Sequence, residues 1–297
     1  MERNNQLKFK NNYSQLKLIG ANIHAGQDKK GVDKTPEILQ KDRDFVTKIK
    51  NYGLEVADFV IIPENISELY DQCAYLRDSI QSEFDKNSLT LVIGGDHSLS
   101  HGTVPGVVKG LDPDKPIKLV WVDAHADIDD MTSYYKWRHS MPVNAILGLT
   151  PEDDPFHGFK CLTPPDFVYI GVRELDDFDR NLISKHNIKL FHMDTIRERG
   201  IEEVMKEVLE FLGDAQVIVS YDIDAMDATL CPGTGFPEPN GMNREHAKVV
   251  IDELCKTNVR SVEVVEINDE LEKEGQSTLE LGEFIIYRFL DNLLKEQ

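Results

Sequence analysis

Apolar residues follow two alternating patterns along this chain. Short continuous apolar runs, typical of strands buried on both faces of a parallel sheet, alternate with longer stretches in which apolar residues recur at helical spacing. The runs predict strands at 16–20, 54–61, 89–94, 117–122, 167–172, 188–192, 216–221 and 261–266. The longer stretches predict helices at 35–52, 67–84, 176–186, 201–212, 243–256 and 278–294. This alternation predicts an α/β fold with a central parallel sheet of about eight strands and helices on both faces.

The pattern continues without a break, so we expect one domain over residues 1–297. The chain shows no internal repeat, low-complexity tract or Pro/Ser-rich linker. Its 53 acidic and 33 basic residues give a net charge of −20, which disfavours nucleic acid and anionic membranes as partners. No apolar stretch approaches the roughly 20 residues of a membrane span, and the start has no apolar signal core. The four cysteines are widely spaced, which favours free thiols and a cytoplasmic location.

The most informative polar residues come directly after the predicted strand at 117–122. They read Asp123-Ala-His125-Ala-Asp127-Ile-Asp129. Side chains alternate along a strand, so the first aspartate, the histidine and the second aspartate are expected to point the same way. Two buried carboxylates beside an imidazole are costly unless cations lie between them. Because open parallel sheets bind ligands beyond the carboxyl ends of their strands, this segment predicts a metal site.

Three other predicted strand ends also carry polar groups. Gly94-Gly-Asp-His97-Ser98 allows a tight turn, after which Ser98 is expected to cap a helix. Asp222-Ile-Asp224 repeats the spacing of two residues between carboxylates, although an isolated pair of this kind is usually solvated. Glu266 ends an apolar strand, where the simplest interpretation is a carboxylate on the rim of the sheet.

Taken together, three of these strand ends supply more ligands than one catalytic metal with an open position would use. The candidate metal ligands are His97, Asp123, His125, Asp127, Asp222 and Asp224. Four carboxylates balance the charge of two divalent ions, and oxygen ligands with two imidazoles and no thiolate suit Mn²⁺. Two such ions can lower the pKa of a water and direct hydroxide at an electrophilic carbon.

The motifs at these three strand ends resemble, in order, the three signatures of the arginase/agmatinase (ureohydrolase) family. Nearer the start, Gly20, Gly26-Gln27 and Gly31 resemble the arginase branch. The resemblance implies a three-layer α-β-α fold and a hydrolase that cleaves a guanidino group to urea plus an amine. It also implies two Mn²⁺ per chain and a small-molecule guanidino substrate, with L-arginine as first choice. Family members form trimers or hexamers, so a homo-oligomer is expected.

The resemblance also implies roles for individual residues. One Mn²⁺ would be held by His97, Asp123, Asp127 and Asp222, and the other by His125, Asp123, Asp222 and Asp224. Asp127 would pass a proton from the nucleophile to the leaving amine, Glu266 would pair with the guanidinium, and His139 would shuttle protons. Asp176 would contact the α-amino group of the substrate, and His125 would also face the substrate.

Four positions depart from the arginase pattern. Asp129 replaces an asparagine that donates to the substrate carboxylate, and an ionised carboxylate has no donor. Tyr135 and Trp137 are bulky residues in a rebuilt loop, and Phe236 stands in place of a threonine near the guanidinium. Lys136 or Arg138 in that loop could hold the carboxylate instead. The alternatives are therefore agmatine or another guanidino compound as substrate, or a catalytically inert binding or regulatory subunit.

Overall fold

The computed structural model describes residues 13–52, 55–56, 61–83, 85, 87–273 and 277–294. Its centre is a fully parallel sheet of eight strands in the order β2-β1-β3-β8-β7-β4-β5-β6. The strands are β1 (Gln15–Ala21), β2 (Glu55–Val56), β3 (Ser88–Gly94), β4 (Ile117–Val122), β5 (Phe167–Ile170), β6 (Lys189–Phe191), β7 (Gln216–Asp222) and β8 (Asn258–Val265). The prediction of a parallel sheet with about eight strands is confirmed. The prediction for 54–61 falls partly on residues 54 and 57–60, which lie outside the described residues.

Helices connect the strands. They are α1 (Thr35–Lys41), α2 (Arg43–Lys50), α3 (Leu69–Glu83), α4 (Ser100–Gly110), α5 (Pro142–Ile146), α6 (Asp177–His186), α7 (Met193–Arg199), α8 (Ile201–Leu212), α9 (Arg244–Leu254) and α10 (Thr278–Leu294). The single helix predicted for 35–52 is wrong, because Asp42 leaves the helical conformation with ψ 114° and caps α2 by accepting from the backbone of Asp44 and Phe45. The pattern did not predict α4, α5 or α7, which are short or buried around most of their circumference.

Two apolar cores lie on opposite faces of the sheet, which makes the three layers. On one face α1, α2 and α7–α10 pack against alternate strand residues such as Val120, Val219 and Ile93. On the other face α3–α6 pack against the intervening residues, including Leu119, Trp121 and Val92. A strand covered on both faces must be apolar at successive positions, and this explains the continuous runs in the sequence. Within the described residues no helix is both long and apolar enough to cross a membrane.

Strand order places the candidate residues together. The strands β3, β8, β7 and β4 are consecutive neighbours in the middle of the sheet. Being parallel, they end at the same edge, and the polar segments identified in the sequence follow those four ends. Their separation along the chain is large, but the sheet brings them within three strand spacings of each other.

Candidate binuclear metal centre

The six predicted ligands converge at the carboxyl edge of the sheet. Two groups of side chains have ligand atoms close enough to share an ion, and Asp123 belongs to both groups. The groups are His97 with Asp123 and Asp222, and His125 with Asp123 and Asp224. Asp127 lies beside the first group, with its Oδ2 2.9 Å from Nδ1 of His97.

The turn after β3 positions His97. Gly95 passes so close to the backbone that a Cβ there would lie 1.7 Å from the carbonyl oxygen of Ile23, so only glycine fits. The following turn of 3₁₀ helix is capped by Asp96, which accepts from the backbone N–H of Ser98. The expectation that Ser98 is the cap is therefore wrong, since its hydroxyl donates to Asp96 instead.

Two contacts fix the imidazole ring of His97. Its Nε2 lies 2.7 Å from the hydroxyl of Ser220 on β7, and its face stacks on Trp121 with ring centroids 4.1 Å apart. The indole N–H of Trp121 donates in turn to Oδ2 of Asp123 at 2.9 Å. These contacts leave Nδ1 of His97 directed at the carboxylates.

The segment after β4 does not continue the strand. The strand ends at Val122, and Asp127 has a φ of 48°, in the left-handed region that is uncommon for residues other than glycine. Strand alternation therefore does not explain why Asp123, His125 and Asp127 converge. A looped backbone does so, and Asp123 stabilises it by accepting the N–H of His125 at 2.7 Å.

The end of β7 supplies the remaining ligands. Asp222 is the last residue of the strand, and its Oδ1 accepts the backbone N–H of Asp224 at 2.8 Å. Asp224 lies in the next turn, where its Oδ1 accepts the N–H of Ala124 at 3.2 Å. The two ligand-bearing segments are thus joined by a hydrogen bond from the backbone of one to the Asp224 carboxylate of the other, and Oδ2 of Asp224 faces Nδ1 of His125.

The distances suit cation binding. Nδ1 of His97 lies 3.2 Å from Asp123 Oδ2 and 3.1 Å from Asp222 Oδ2, yet it is buried without a hydrogen bond among the described residues. Nδ1 of His125 lies 3.0 Å from Asp224 Oδ2 and 3.6 Å from Asp123 Oδ1. Imidazole nitrogens and carboxylate oxygens that converge without pairing are metal-ligand groups, so the residues fit two divalent cations that share Asp123.

Electrostatics lead to the same conclusion. Burial and the neighbouring Asp123 raise the pKa of Asp127 to about 7. Burial, with Asp224 and Asp123 nearby, also raises the pKa of Asp222 well above its usual range. Burial opposes protonation of His97, but contacts with Asp123, Asp127 and Asp222 still raise the pKa of this imidazole. Without cations this cluster holds protons that metal ions would displace.

Glu266 lies next to the cluster, directly after β8. It is 4% exposed and has a φ of 64°, so the backbone turns sharply to direct the carboxylate inward. Its Oε1 accepts the backbone N–H of His97 at 2.8 Å, and both its oxygens accept from the side-chain amide of Gln27. Burial and the charge of Asp96 raise its pKa to about 8.

His139 lies beside Glu266. Its Nδ1 is 3.8 Å from Glu266 Oε1, and its ring stacks on Phe236 with centroids 5.0 Å apart and planes at 15°. Its backbone N–H donates to the carbonyl of Gly26 at 3.1 Å. Burial and the charges of His125 and His97 lower its pKa to about 3, which keeps the imidazole neutral.

The remaining predicted substrate contacts differ in their surroundings. Asp129 is 7% exposed, and its Oδ1 has no hydrogen-bond partner among the described residues. Burial raises its pKa to about 6. Asp176 is the N-cap of α6, where it accepts the N–H of Asp179 at 2.9 Å. Tyr135 and Trp137 are 57% and 43% exposed.

Arg138 is not free to bind a substrate carboxylate. Its guanidinium lies 2.9 Å from Asp154 Oδ2 and packs on the ring of Phe156 at 4.5 Å. The interpretation that Arg138 compensates for Asp129 is therefore not supported by its position. Lys136 is exposed in the same loop.

Comparison with known proteins agrees with this geometry. The family model described as "Arginase family" matches residues 14–291. The arginase of Entamoeba histolytica is 31% identical over 264 residues, covering 84% of this chain and 89% of that protein. Human arginase-1 is 31% identical over 282 residues, covering 86% of this chain and 85% of that protein.

The fold comparison gives the same result. A crystal structure of the Entamoeba histolytica arginase in complex with L-ornithine superposes with a TM-score of 0.83 at 27% identity, covering 96% of this chain and 99% of that one. The family model covers nearly the whole described chain, and the ligand cluster lies where the sequence motifs predicted it. The chain therefore belongs to the arginase family, whose members are hydrolases acting on carbon–nitrogen bonds of amidines.

Proposed function

We propose that this protein is a binuclear manganese hydrolase that converts L-arginine to L-ornithine and urea. The observation that carries the proposal is the pair of His/Asp clusters sharing Asp123, with the buried carboxylate of Glu266 beside them. The arginase relatives at about 31% identity, and the L-ornithine complex of one of them, support arginine as the substrate.

The two ligand sets are those that the family resemblance implies, and the two His/Asp clusters that share Asp123 support them. His97, Asp123, Asp127 and Asp222 would hold one Mn²⁺, and His125, Asp123, Asp222 and Asp224 would hold the other. Two ions bound there would lower the pKa of a water toward neutrality and so supply the nucleophile. Ser220 and Trp121 orient the imidazole ring of His97, and contacts of this kind to a metal ligand tune metal affinity.

Three residues of the chain bind the substrate or move protons. Glu266 pairs with the planar guanidinium, which presents its electrophilic carbon to the nucleophile. Asp127 accepts the proton of the nucleophile and passes it to the leaving amine. His139, whose Nδ1 lies 3.8 Å from Glu266 Oε1, is the proton-shuttling residue that the family resemblance implies.

A second substrate class has one specific observation in its favour. Asp129 is a buried carboxylate with an unpaired oxygen, and the neighbouring Arg138 is engaged by Asp154. An α-carboxylate would meet an acid there, whereas agmatine or another guanidino compound without a carboxylate would not. Urea release from such compounds but not from arginine would identify this alternative.

The proposal is tested by metal content and urea release. After loading with Mn²⁺ we expect two ions per chain by elemental analysis, and urea from at least one of arginine, agmatine and guanidinobutyrate. Asp222→Asn should lose metal and at least about 100-fold in rate, because a shared ligand is removed. The matched change Asp153→Asn, at an exposed position, should alter neither. Less than one tightly bound ion contradicts the metal centre, and no urea from any compound favours an inert binding protein.

A further inference from the structure

The side-chain amide of Gln27 contacts both carboxylate oxygens of Glu266. The side-chain Nε2 lies 2.9 Å from Oε1 and 2.7 Å from Oε2, and the glutamine itself is 6% exposed. The amide nitrogen must face the carboxylate, because the amide oxygen would repel it. Sequence patterns assigned no role to this neutral residue, because it is distant along the chain from the candidate metal ligands.

The backbone around Gln27 is tied to the site on two sides. Gly26 donates its N–H to Asp96 Oδ2 at 2.8 Å, and its carbonyl accepts the N–H of His139 at 3.1 Å. Asn268, two residues beyond Glu266, donates its side-chain N–H to the carbonyl of Lys30 at 2.8 Å. The loop therefore presents the amide of Gln27 in a fixed position, and the amide in turn holds the carboxylate.

The other end of the amide is unpaired. Oε1 of Gln27 is buried and has no hydrogen-bond partner among the described residues, and the same is true of the hydroxyl oxygen of Thr234. Gly235, the next residue after Thr234, lies against this oxygen, because a Cβ at Gly235 would come within 2.7 Å of Gln27 Oε1. A buried acceptor without a donor is costly, so a ligand that supplies N–H groups is the expected occupant.

We propose that Gln27 positions Glu266 and that its free oxygen accepts an N–H of the substrate guanidinium. This inference rests on the proposed function, because it assumes a guanidino substrate. A guanidinium carries only donors, fixed in one plane, and the carboxylate of Glu266 and the amide oxygen of Gln27 offer it acceptors. Gln27 thereby selects for the guanidinium end, and Glu266 alone does not define that end.

The test is Gln27→Met, which keeps the length of the side chain and removes both polar atoms. We expect the KM for arginine to rise about 10–100-fold, the usual effect of losing hydrogen bonds to a charged group, with a smaller change in kcat. Metal content should stay at the wild-type level. Inhibition by L-ornithine, which lacks the guanidinium, should change by less than about twofold.

Two further variants separate this role from a structural one. Gln72→Met is the matched control, because Gln72 also donates to an oxygen, the carbonyl of Ile66 at 2.9 Å, and also has an unpaired Oε1, but lies in α3. It should leave KM unchanged. Gly235→Ala should displace the amide of Gln27 without removing it, and we expect a smaller rise in KM, about 3–10-fold.

Several results would overturn the inference. They are an unchanged KM in Gln27→Met, an equal loss of arginine and ornithine affinity, or loss of metal from this variant. If the wild type releases no urea, the proposed function fails separately. In that case calorimetric titration of arginine into the wild type and Gln27→Met still decides the inference, since weaker binding by the variant supports it and equal binding contradicts it.

Discussion

Asp129 is the residue at which this chain departs most from its family resemblance. It lies two residues beyond Asp127, is nearly inaccessible to solvent, and is joined through its backbone N–H to the carbonyl of Ser140 at 2.9 Å. Ser140 follows His139, so the backbone of Asp129 is tied to the segment that carries this histidine. The family resemblance implies that this position faces the far end of the substrate, where a substrate carboxylate would meet the like charge of Asp129.

We predict that Asp129→Asn raises urea release from arginine. Removing a like-charge penalty on the order of 1–2 kcal/mol should raise kcat/KM by about tenfold or more. Agmatine, which has no carboxylate, should gain less than about twofold. The control is Asp130→Asn, because Asp130 is the adjacent acid and already accepts from the N–H of Thr132. Equal arginine activity in Asp129→Asn and the wild type would show that Asp129 does not meet the substrate carboxylate.

Single residues also show what sequence patterns can and cannot locate. His97 and Asp222 were predicted because charged groups directly after apolar strands are rare and chemically costly. Gln27 was not predicted as a site residue, because a neutral amide in a loop disturbs no periodicity and carries no charge. The importance of Gln27 depends on its distance to Glu266, 239 positions away along the chain.

At the scale of elements, α6 combines a structural and a proposed substrate role in one side chain. Asp176 accepts from the N–H of Asp179, and the side chain of Asp179 accepts the N–H of Asp176 in return, which forms a capping box. Such a cap stabilises the first turn of a helix. Burial and the nearby Asp129 and Asp176 raise the pKa of Asp179 to about 7, so this helix start adds acidic groups near the site.

We predict that Asp176→Ala and Asp176→Ser separate the two roles. The alanine variant loses the cap and should be less stable by about 1 kcal/mol, whereas serine keeps a capping oxygen and should cost less than about 0.5 kcal/mol. If Asp176 also binds the α-amino group, both variants should raise the KM for arginine by about tenfold. Thermal unfolding and steady-state kinetics measure these effects. A KM unchanged in both variants would leave the cap as the role of Asp176.

Elements were predicted well where the chain is apolar and less well where a turn interrupts it. The strands of the sheet were located because burial on both faces requires continuous apolar runs. The break between α1 and α2 was missed, because helical spacing continues through Asp42 while its side chain caps the next helix. Local hydrogen bonding of this kind competes with helix continuation, and periodicity does not record it.

For the whole molecule, the concentration of acids at one edge of the sheet links stability to metal and pH. Folding raises the pKa of Asp127 to about 7 and of Glu266 to about 8, each chiefly by burial. Contacts with carboxylates also raise the pKa of His97. Groups whose pKa is raised on folding stabilise the folded state below their unfolded pKa, and this stability is lost as pH rises through the folded pKa.

We predict that the metal-free protein becomes less stable between pH 6.5 and pH 8. In this window the carboxyl groups with raised pKa lose protons that the same groups have already released in the unfolded chain. The free energy of unfolding therefore falls as pH rises. Bound Mn²⁺ should raise the melting temperature and weaken its dependence on pH, because the ion binds the folded state and neutralises the carboxylates. Thermal unfolding with chelator and with Mn²⁺ at both pH values measures this. A melting temperature that rises with pH in the chelated protein would contradict the prediction.

The sequence by itself determined the alternation of strands and helices, the parallel sheet and the six candidate ligands. Burial forces apolar runs and makes charges at their ends exceptional, so these features can be recognised without coordinates. Tertiary structure alone decided how the ligands meet. Asp123, His125 and Asp127 converge because the backbone loops through a left-handed residue and not because a strand continues. Only the order of the strands brings Glu266, Gln27 and the cluster of candidate ligands to one place, because contacts across a sheet depend on which strands are neighbours.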